Sequence, residues 1–445
     1  FYQPAWSVAP ISPETGAPAS VRTLIFADAH GVGDGVASLL RARGDEVIVV
    51  REGKAFKRDN PLSFVINPVV PAELGRVVET LSAEGRVPTR IVHAWSVTGD
   101  ETVQRTPGDT IRMRQRGFDS LLALAQAAGR EDWAEPTKLL VISVRMQRVA
   151  GESNLLPATA MVLGPVQVIP REFSNFKCAS LDIDATRVGE RATTRLIGAI
   201  VAELDGSLND AVLAWRGGQR WVQSYAPSPL PSAMQGKVVW RDRGTYVITG
   251  GLGGVGLAIA SHLATRVQAQ LVLVGRTALP PRDRWSSLIA QPDGEAATVE
   301  RIRQVMALER KGAKVLVLAA DVTDAQQLQK AFKQARERFG DIHGVLHTAG
   351  VLSDGVIQLK DAKVATSVLA PKVEGTMAIE AALASIQPQP PLDFVVLFSS
   401  ISAFAGLAGQ VDYAAANAFL DAYAQDRCMR DGTYTVAVNW SQWQE

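Results

Sequence analysis

Thr249-Gly250-Gly251-Leu252-Gly253-Gly254-Val255-Gly256 constrains this chain more than any other stretch. It follows the β-branched and aromatic run Tyr246-Val247-Ile248 and precedes Leu257–Ala264, whose apolar residues recur at helical spacing. Strand, glycine turn and helix in that order make a site for a dinucleotide. Glycines admit a pyrophosphate close to the backbone, and the helix N-terminus offers unpaired N–H groups and the positive end of its dipole. Thr249, Gly250, Gly251, Leu252, Gly254, Val255 and Gly256 are therefore the candidate cofactor-binding turn. Glycine turns of this kind also serve merely to pack a helix on a strand, so the rest of the chain has to corroborate the reading.

The remainder of the chain from Gly244 alternates strands and helices. Strands are expected at 245–249, 270–274, 314–318, 343–347, 393–398 and 434–439. A helix over about 298–311 is expected to bury a stripe of Val299, Ile302, Val305 and Met306. Such alternation implies a parallel sheet with helices on both faces, a doubly wound α/β fold. The same order occurs earlier. Thr23-Leu-Ile-Phe26 reads as a strand, Gly31 and Gly33 mark a turn, Val36–Leu40 begins a helix, and Glu46–Val50 is a second strand. Thr23 matches Thr245 at a nearly constant offset, 90–95 parallels 344–349, and 138–143 parallels 394–399, which points to an internal duplication. Chance similarity between two such folds is the alternative. In the first copy Asp28 stands where Gly250 does and Asp34 where Gly256 does, so two carboxylates would face and repel a pyrophosphate. The best boundary is Ser224–Ser232, where three prolines in a polar setting suggest a loop, giving domains 1–232 and 233–445.

With 445 residues the chain exceeds the usual single core, and 47% hydrophobic with 20% charged residues is an ordinary globular composition. A net charge of +1 gives no reason to expect nucleic acid or an anionic membrane as partner. Only Cys178 and Cys428 are present, with no CxxC and five scattered histidines, so no disulfide framework or metal site is suggested and a reducing, cytoplasmic setting is expected. Phe1–Trp6 lacks the basic start of a signal peptide. The uncharged run Phe394–Val411 is broken by serines and glycines, and is expected to be a buried strand and loop rather than a membrane span.

Past the turn, Arg276 and Thr277 close the second strand, where an arginine would pair with the 2′-phosphate of NADPH. A solvated strand-end arginine is the plainer alternative. Asp321 and Val322 end the third strand near the adenine position, and Thr348, Ala349 and Gly350 end the fourth with small residues that let a cofactor lie close.

Here the chain resembles the short-chain dehydrogenase/reductase superfamily, through TGxxxGxG at 249–256, Asp321-Val322 and His347-Thr348-Ala349-Gly350. More narrowly it resembles the ketoreductase domain of a modular polyketide synthase, through the degenerate first copy, Leu397-Phe398-Ser399-Ser400, Tyr413-Ala414-Ala415-Ala416-Asn417 and Val438-Asn439-Trp440. The resemblance implies two Rossmann-like doubly wound subdomains, the N-terminal one structural. It implies Tyr413 as proton donor to a ketone oxygen, Ser400 as hydrogen-bond donor to that oxygen, and Lys372 beneath the tyrosine. Asn417 lies one turn after Tyr413, where the superfamily more often has lysine, and the exchange of lysine and asparagine is itself typical of polyketide ketoreductases. A free tyrosine has a pKa near 10, so a proton donor working near neutrality needs a buried cation to favour phenolate.

The family marks the producer of the D (3R) alcohol by Leu-Asp-Asp after the fourth strand, and the opposite type by a tryptophan eight residues before the tyrosine. This chain has Leu352-Ser353-Asp354 and Ala405, which keeps the last aspartate and points to the D type. Asp354 as a helix cap is the alternative. Family members usually continue past the position of Glu445 into a substrate-covering helix and a final strand. The implied reaction is NADPH-dependent reduction of a β-ketoacyl thioester on an acyl carrier protein beside neighbouring synthase domains. An inactive scaffold domain or a free-standing reductase of small ketones are the competing readings.

Overall fold

The computed structural model describes residues 1–12, 21–99, 106–184, 194–228, 240–290, 295–388 and 391–441. The β-branched runs form two sheets. The first is built from β1 (Tyr2–Val8), β2 (Arg22–Ala27), β3 (Glu46–Glu52), β4 (Lys57–Asn60), β5 (Ser63–Ile66), β6 (Arg90–Ser96), β7 (Thr137–Val144), β8 (Phe176–Ile183), β9 (Val212–Arg216) and β10 (Gln219–Pro227), in the order β1-β10-β9-β8-β7-β6-β2-β3-β5-β4. The second contains β11 (Thr245–Thr249), β12 (Gln270–Gly275), β13 (Lys314–Ala319), β14 (Gly344–His347), β15 (Phe394–Ser400) and β16 (Thr435–Trp440), in the order β13-β12-β11-β14-β15-β16. Every pairing of the second sheet is parallel. The run β5-β3-β2-β6-β7-β8 of the first sheet repeats its order strand for strand, as an internal duplication requires. Both halves are Rossmann-like and doubly wound.

The chain folds into two compact units. One comprises Phe1–Pro229 with Ser353–Thr366 and Ile401–Asp426; the other comprises Leu230–Leu352, Ser367–Ser400 and Arg427–Glu445. Within the first unit, the helix Leu163–Glu172 meets the helix Val411–Asp431 through Gly164. A Cβ there would stand 2.4 Å from the Val411 carbonyl oxygen and 2.7 Å from the Ala415 Cβ, so only glycine fits. Gln167 Nε2 donates to the Ala403 carbonyl at 2.9 Å on the same helix face. In the second unit, Tyr246 is wholly buried and stacks on Phe394, and Gly344 leaves room for the Phe394 ring, which a Cβ would approach to 2.4 Å.

Four expectations need correction. The stretch Ser224–Pro227 is not a loop but the end of β10, paired antiparallel with β1 so that Ser224 lies opposite Ala5 and Pro227 opposite Tyr2. A proline is tolerated there because Pro227 is the terminal residue of its strand. Residues 229–232 of that stretch lie outside the described residues. The first helix begins at Val32 rather than Val36. Met306 is exposed, and Leu308 joins Val299, Ile302 and Val305 in the buried stripe instead.

The fourth concerns Asp28. Its carboxylate does not project from the turn but fills it, accepting from the backbone N–H of His30 at 2.8 Å, Val32 at 3.3 Å and Gly33 at 2.7 Å. Those are the donors a phosphate would use, now saturated by the chain itself. Asp34 is paired with Arg51 at the end of β3. Asp28→Ala is expected to lower the unfolding free energy by about 1–3 kcal/mol, because two buried N–H groups and a half-buried one lose their shared acceptor. Urea unfolding of the two chains measures it.

Candidate functional site

The turn after β11 is folded by its own backbone. Gly250 and Gly251 N–H donate to the Val274 carbonyl at 2.8 and 3.3 Å, and Gly253 N–H donates to the Gly250 carbonyl at 2.9 Å. Gly250 has φ +70°, and a Cβ on it would stand 2.9 Å from the Ala349 backbone. A Cβ on Gly256 would stand 2.5 Å from the Gly250 oxygen, so this glycine brings the helix onto the turn. Leu252 and Val255 pack their side chains toward the core. Gly254 has nothing within 4 Å of its Cβ position, and the helix Gly254–Val267 has no side-chain cap at Gly253. The first turn of this helix is thus open where the corresponding turn of the first half is closed by Asp28.

The carboxyl ends of β11 to β14 bring the other cofactor candidates to the same edge of the sheet. Arg276 and Thr277 are exposed beyond β12. Asp321 accepts from Thr323 N–H at 2.9 Å and Thr323 Oγ1 at 2.8 Å, so its carboxylate shapes the loop after β13. Val322 packs against Gly375, whose Cβ position is 3.1 Å away. Thr348 Oγ1 and N–H both donate to the Thr249 carbonyl, at 2.7 and 3.1 Å, which ties the ends of β14 and β11. Gly350 is exposed and keeps the space beside Lys372 Cε, 3.3 Å from its Cβ position. The residues present fit a dinucleotide: the cradle excludes Cβ atoms where a phosphate would approach, and its helix N–H groups carry no side-chain cap.

Lys372 is buried within the helix Ala362–Ile386, and its Nζ donates to the Phe398 carbonyl at 2.5 Å. His347, at the end of β14, reaches the same helix. Its Nε2 is 3.0 Å from the Pro371 oxygen and its Nδ1 2.7 Å from Thr249 Oγ1. A carbonyl can only accept, so Nε2 carries the hydrogen and Nδ1 accepts from the threonine hydroxyl. Burial, reinforced by the Lys372 charge, pushes the imidazole pKa down to about 3. Ser400 closes β15, its backbone carbonyl receiving Asn439 Nδ2 at 3.1 Å.

Tyr413 and Asn417 belong to the other unit, on the helix Val411–Asp431. Asn417 is fully buried and donates to the Tyr413 carbonyl at 2.7 Å and to Ser402 Oγ at 3.4 Å. Leu352 is exposed, Asp354 accepts from Gln410 Nε2 at 3.1 Å rather than capping a helix, and Ala405 ends the short helix Ser402–Ala405. Sequence reasoning treated His347 only as part of a motif and passed over the Phe398 carbonyl. The spacing of Thr249, His347 and Pro371 in sequence carries no local signal of their contact. Among the described residues no cluster of His, Cys, Asp or Glu could hold a metal ion, and no helix is long and apolar enough to cross a membrane.

Strand order, glycine turn and open sheet edge define a dinucleotide-binding fold of the short-chain dehydrogenase/reductase kind. Residues 244–445 match the family model described as KR domain, and residues 22–203 match one described as Beta-ketoacyl synthase-like, N-terminal. Residues 244–445 are thus a KR domain, the ketoreductase of polyketide synthases. It is 31% identical over 385 residues to 5-methyl-1-naphthoate synthase of Streptomyces sahachiroi, covering 82% of this chain and 20% of that protein. It is 38% identical over 217 residues to 6-methylsalicylic acid synthase of Aspergillus terreus, covering 48% of this chain and 12% of that protein. The chain thus spans a fifth or less of the length of these relatives. In fold it is similar to an N-terminal ketoreductase from the macrolactin assembly line, with TM-score 0.81 at 23% identity over 99% of this chain and 83% of that one. An A-type ketoreductase from a modular polyketide synthase matches with TM-score 0.72 at 22% identity, over 100% of this chain and 83% of that one.

The buried imidazole makes a prediction about acid. His347 stays neutral in the folded chain down to about pH 3, whereas an unfolded histidine protonates near 6.5. Between those limits the unfolded chain binds the extra proton, so the stability present above about pH 6.5 is lost as pH falls toward 3. His93, buried and likewise pushed down to about 3, acts in the same direction. Urea midpoints should therefore fall on acidification below pH 6.5, and His347→Gln should flatten part of that slope. An identical slope in the variant would assign the acid lability elsewhere.

Proposed function

We propose that this chain reduces a β-ketoacyl thioester, carried on the phosphopantetheine arm of an acyl carrier protein, to the D (3R) β-hydroxyacyl thioester with NADPH. The observation that carries the reading is the open glycine turn at one sheet edge with a buried lysine, Lys372, in a chain of the ketoreductase family. Thr249 to Gly256 would hold the pyrophosphate, Arg276 and Thr277 the 2′-phosphate, Asp321 and Val322 the adenine, and Thr348 to Gly350 the nicotinamide end. When bound, the reduced nicotinamide supplies a hydride to the ketone carbon.

The chain's own groups handle the oxygen. Ser400 donates a hydrogen bond to it, and Tyr413 transfers its phenolic proton to it, so that hydride and proton together convert C=O to CH–OH. Lys372 lowers the cost of leaving a phenolate, for which roughly 3–4 kcal/mol of preferential stabilisation is needed to bring a tyrosine near pH 7–8. The Phe398 carbonyl accepts from its ammonium. Asn417 fixes the turn of helix that carries Tyr413. Leu352, Asp354 and Ala405 would govern which face of the ketone is presented. The great length of the matched relatives supports neighbouring synthase domains as partners, and two free cysteines fit a cytoplasmic setting.

NADPH oxidation with a simple β-ketoacyl thioester, followed by chiral analysis of the alcohol, tests the whole reading; the L alcohol would overturn its stereochemical part. Arg276→Ala should weaken NADPH binding roughly ten- to a hundredfold and leave NADH little changed, because one charge-assisted contact is lost. Fluorescence titration with both nucleotides measures it, and equal losses would refute the 2′-phosphate contact. Tyr413→Phe should lower turnover at least ~10²-fold while NADPH still binds, since the ring is kept and only the proton source is removed. Near-normal turnover would sink the catalytic assignment.

A further inference from the structure

Glu172 ends the helix Leu163–Glu172 of the half that has no glycine cradle, yet its carboxylate grips two segments from much later in the chain. One oxygen, Oε2, accepts from the Ile357 N–H at 2.6 Å; the other, Oε1, accepts from the Gly409 N–H at 2.7 Å. All three residues belong to the first compact unit. The two gripped segments are those that flank the stereochemical and catalytic candidates. Ile357 follows Asp354, and Gly409 stands between Ala405 and Tyr413.

The segments are also joined to each other. Gly355 N–H donates to the Gly409 carbonyl at 2.9 Å, and Gln410 Nε2 donates to Asp354 at 3.1 Å. Buried Lys360 donates to the Ser353 carbonyl at 2.6 Å and pairs with buried Asp412 at 3.1 Å. Asp412 in turn accepts from the Tyr413 N–H at 2.9 Å. Gln126, again from the first half of the chain, donates to the Ile357 and Lys360 carbonyls at 2.8 and 2.7 Å. The bridge needs a carboxylate. Two N–H donors on different segments require two acceptor oxygens on one rigid group, and an amide would offer a second N–H in place of one of them. Gly409 has φ +82°, so this turn depends on a residue that tolerates the left-handed region and has few conformational restraints of its own.

We infer that Glu172 is a positioning residue: it holds Ser353–Lys360 and Gly409–Tyr413 as one body and thereby sets which face of the ketone is turned to the hydride while Tyr413 protonates the oxygen. The inference rests on the reading of Tyr413 as proton donor and of the Leu352–Asp354 loop as a substrate contact. Loss of either hydrogen bond leaves the segments joined only by their direct contacts and so loosens one against the other, and more than one substrate orientation becomes productive.

The test compares the unaltered chain, Glu172→Gln and Glu172→Ala with the same β-ketoacyl thioester. The ratio of the two alcohols should fall at least severalfold in Glu172→Gln and further in Glu172→Ala, and KM should rise more than kcat falls. NADPH affinity should be unchanged. The alcohol ratio does not depend on how much protein is folded, so mere destabilisation would leave it where it was. Hydrogen exchange in the peptides containing Ile357 and Gly409 should accelerate together by roughly tenfold or more, the loss that one charge-assisted hydrogen bond implies. An unaltered alcohol ratio, or unaltered exchange in both peptides, overturns the inference. Turnover by Tyr413→Phe would instead overturn the functional reading, and exchange alone then decides whether Glu172 couples the segments.

Discussion

A strand that runs into a helix through a tight turn leaves backbone N–H groups that something must satisfy, and the two halves of this chain answer that demand differently. In the first half a single side chain, Asp28, accepts three of them. In the second half glycine occupies the corresponding position, no side chain caps the helix, and the turn stays open at Gly254. The same strand order surrounds both. One carboxylate therefore separates a self-contained structural turn from one able to receive an anion, and it does so by occupancy more than by the long-range repulsion expected from sequence.

Around the open turn, buried polar groups are joined to one another by hydrogen bonds. His347 is kept neutral by burial, which lets it accept from Thr249 and donate to Pro371, linking the end of β14 to the helix of Lys372. A protonated imidazole could not accept from the threonine and would also repel the neighbouring ammonium. Lys372 itself is desolvated and meets the Phe398 carbonyl at 2.5 Å, a dipole that offsets part of the burial cost.

The parallel sheet and the glycine turn were legible because their signals are local: alternating strand and helix periods, and a turn whose chemistry sits within eight residues. Helix stripes were legible as far as spacing decides them, though Met306 shows that a large apolar residue at helical spacing can still face solvent. What escaped were pairings between distant segments. Tyr2–Val8 carries no obvious sign of its partner, and the prolines near the end of β10 hid that strand, because a strand can end on a proline without losing a ladder bond. Asp28 was visible as a departure from glycine, but its rotation into the turn depends on N–H groups that sequence does not display. Glu172 lies 185 and 237 residues from its two partners, which no periodicity can reveal.

The retained first half follows from the same pattern of contacts. A single helix, Leu163–Glu172, brings Gly164 against Val411 and Ala415, Gln167 against Ala403, and Glu172 against Ile357 and Gly409. All of those partners except Ile357 lie near Tyr413 in sequence, and all fall in the same compact unit. They include a left-handed glycine turn and a short helix of four residues, neither of which has enough internal hydrogen bonds to hold its own shape. A Rossmann-like half that no longer needs a nucleotide is free to close its phosphate turn with Asp28 and to turn its helix surface to that segment. The closed phosphate turn at Asp28 and the contacts of Gly164, Gln167 and Glu172 with the segment around Tyr413 are thus two features of the same half.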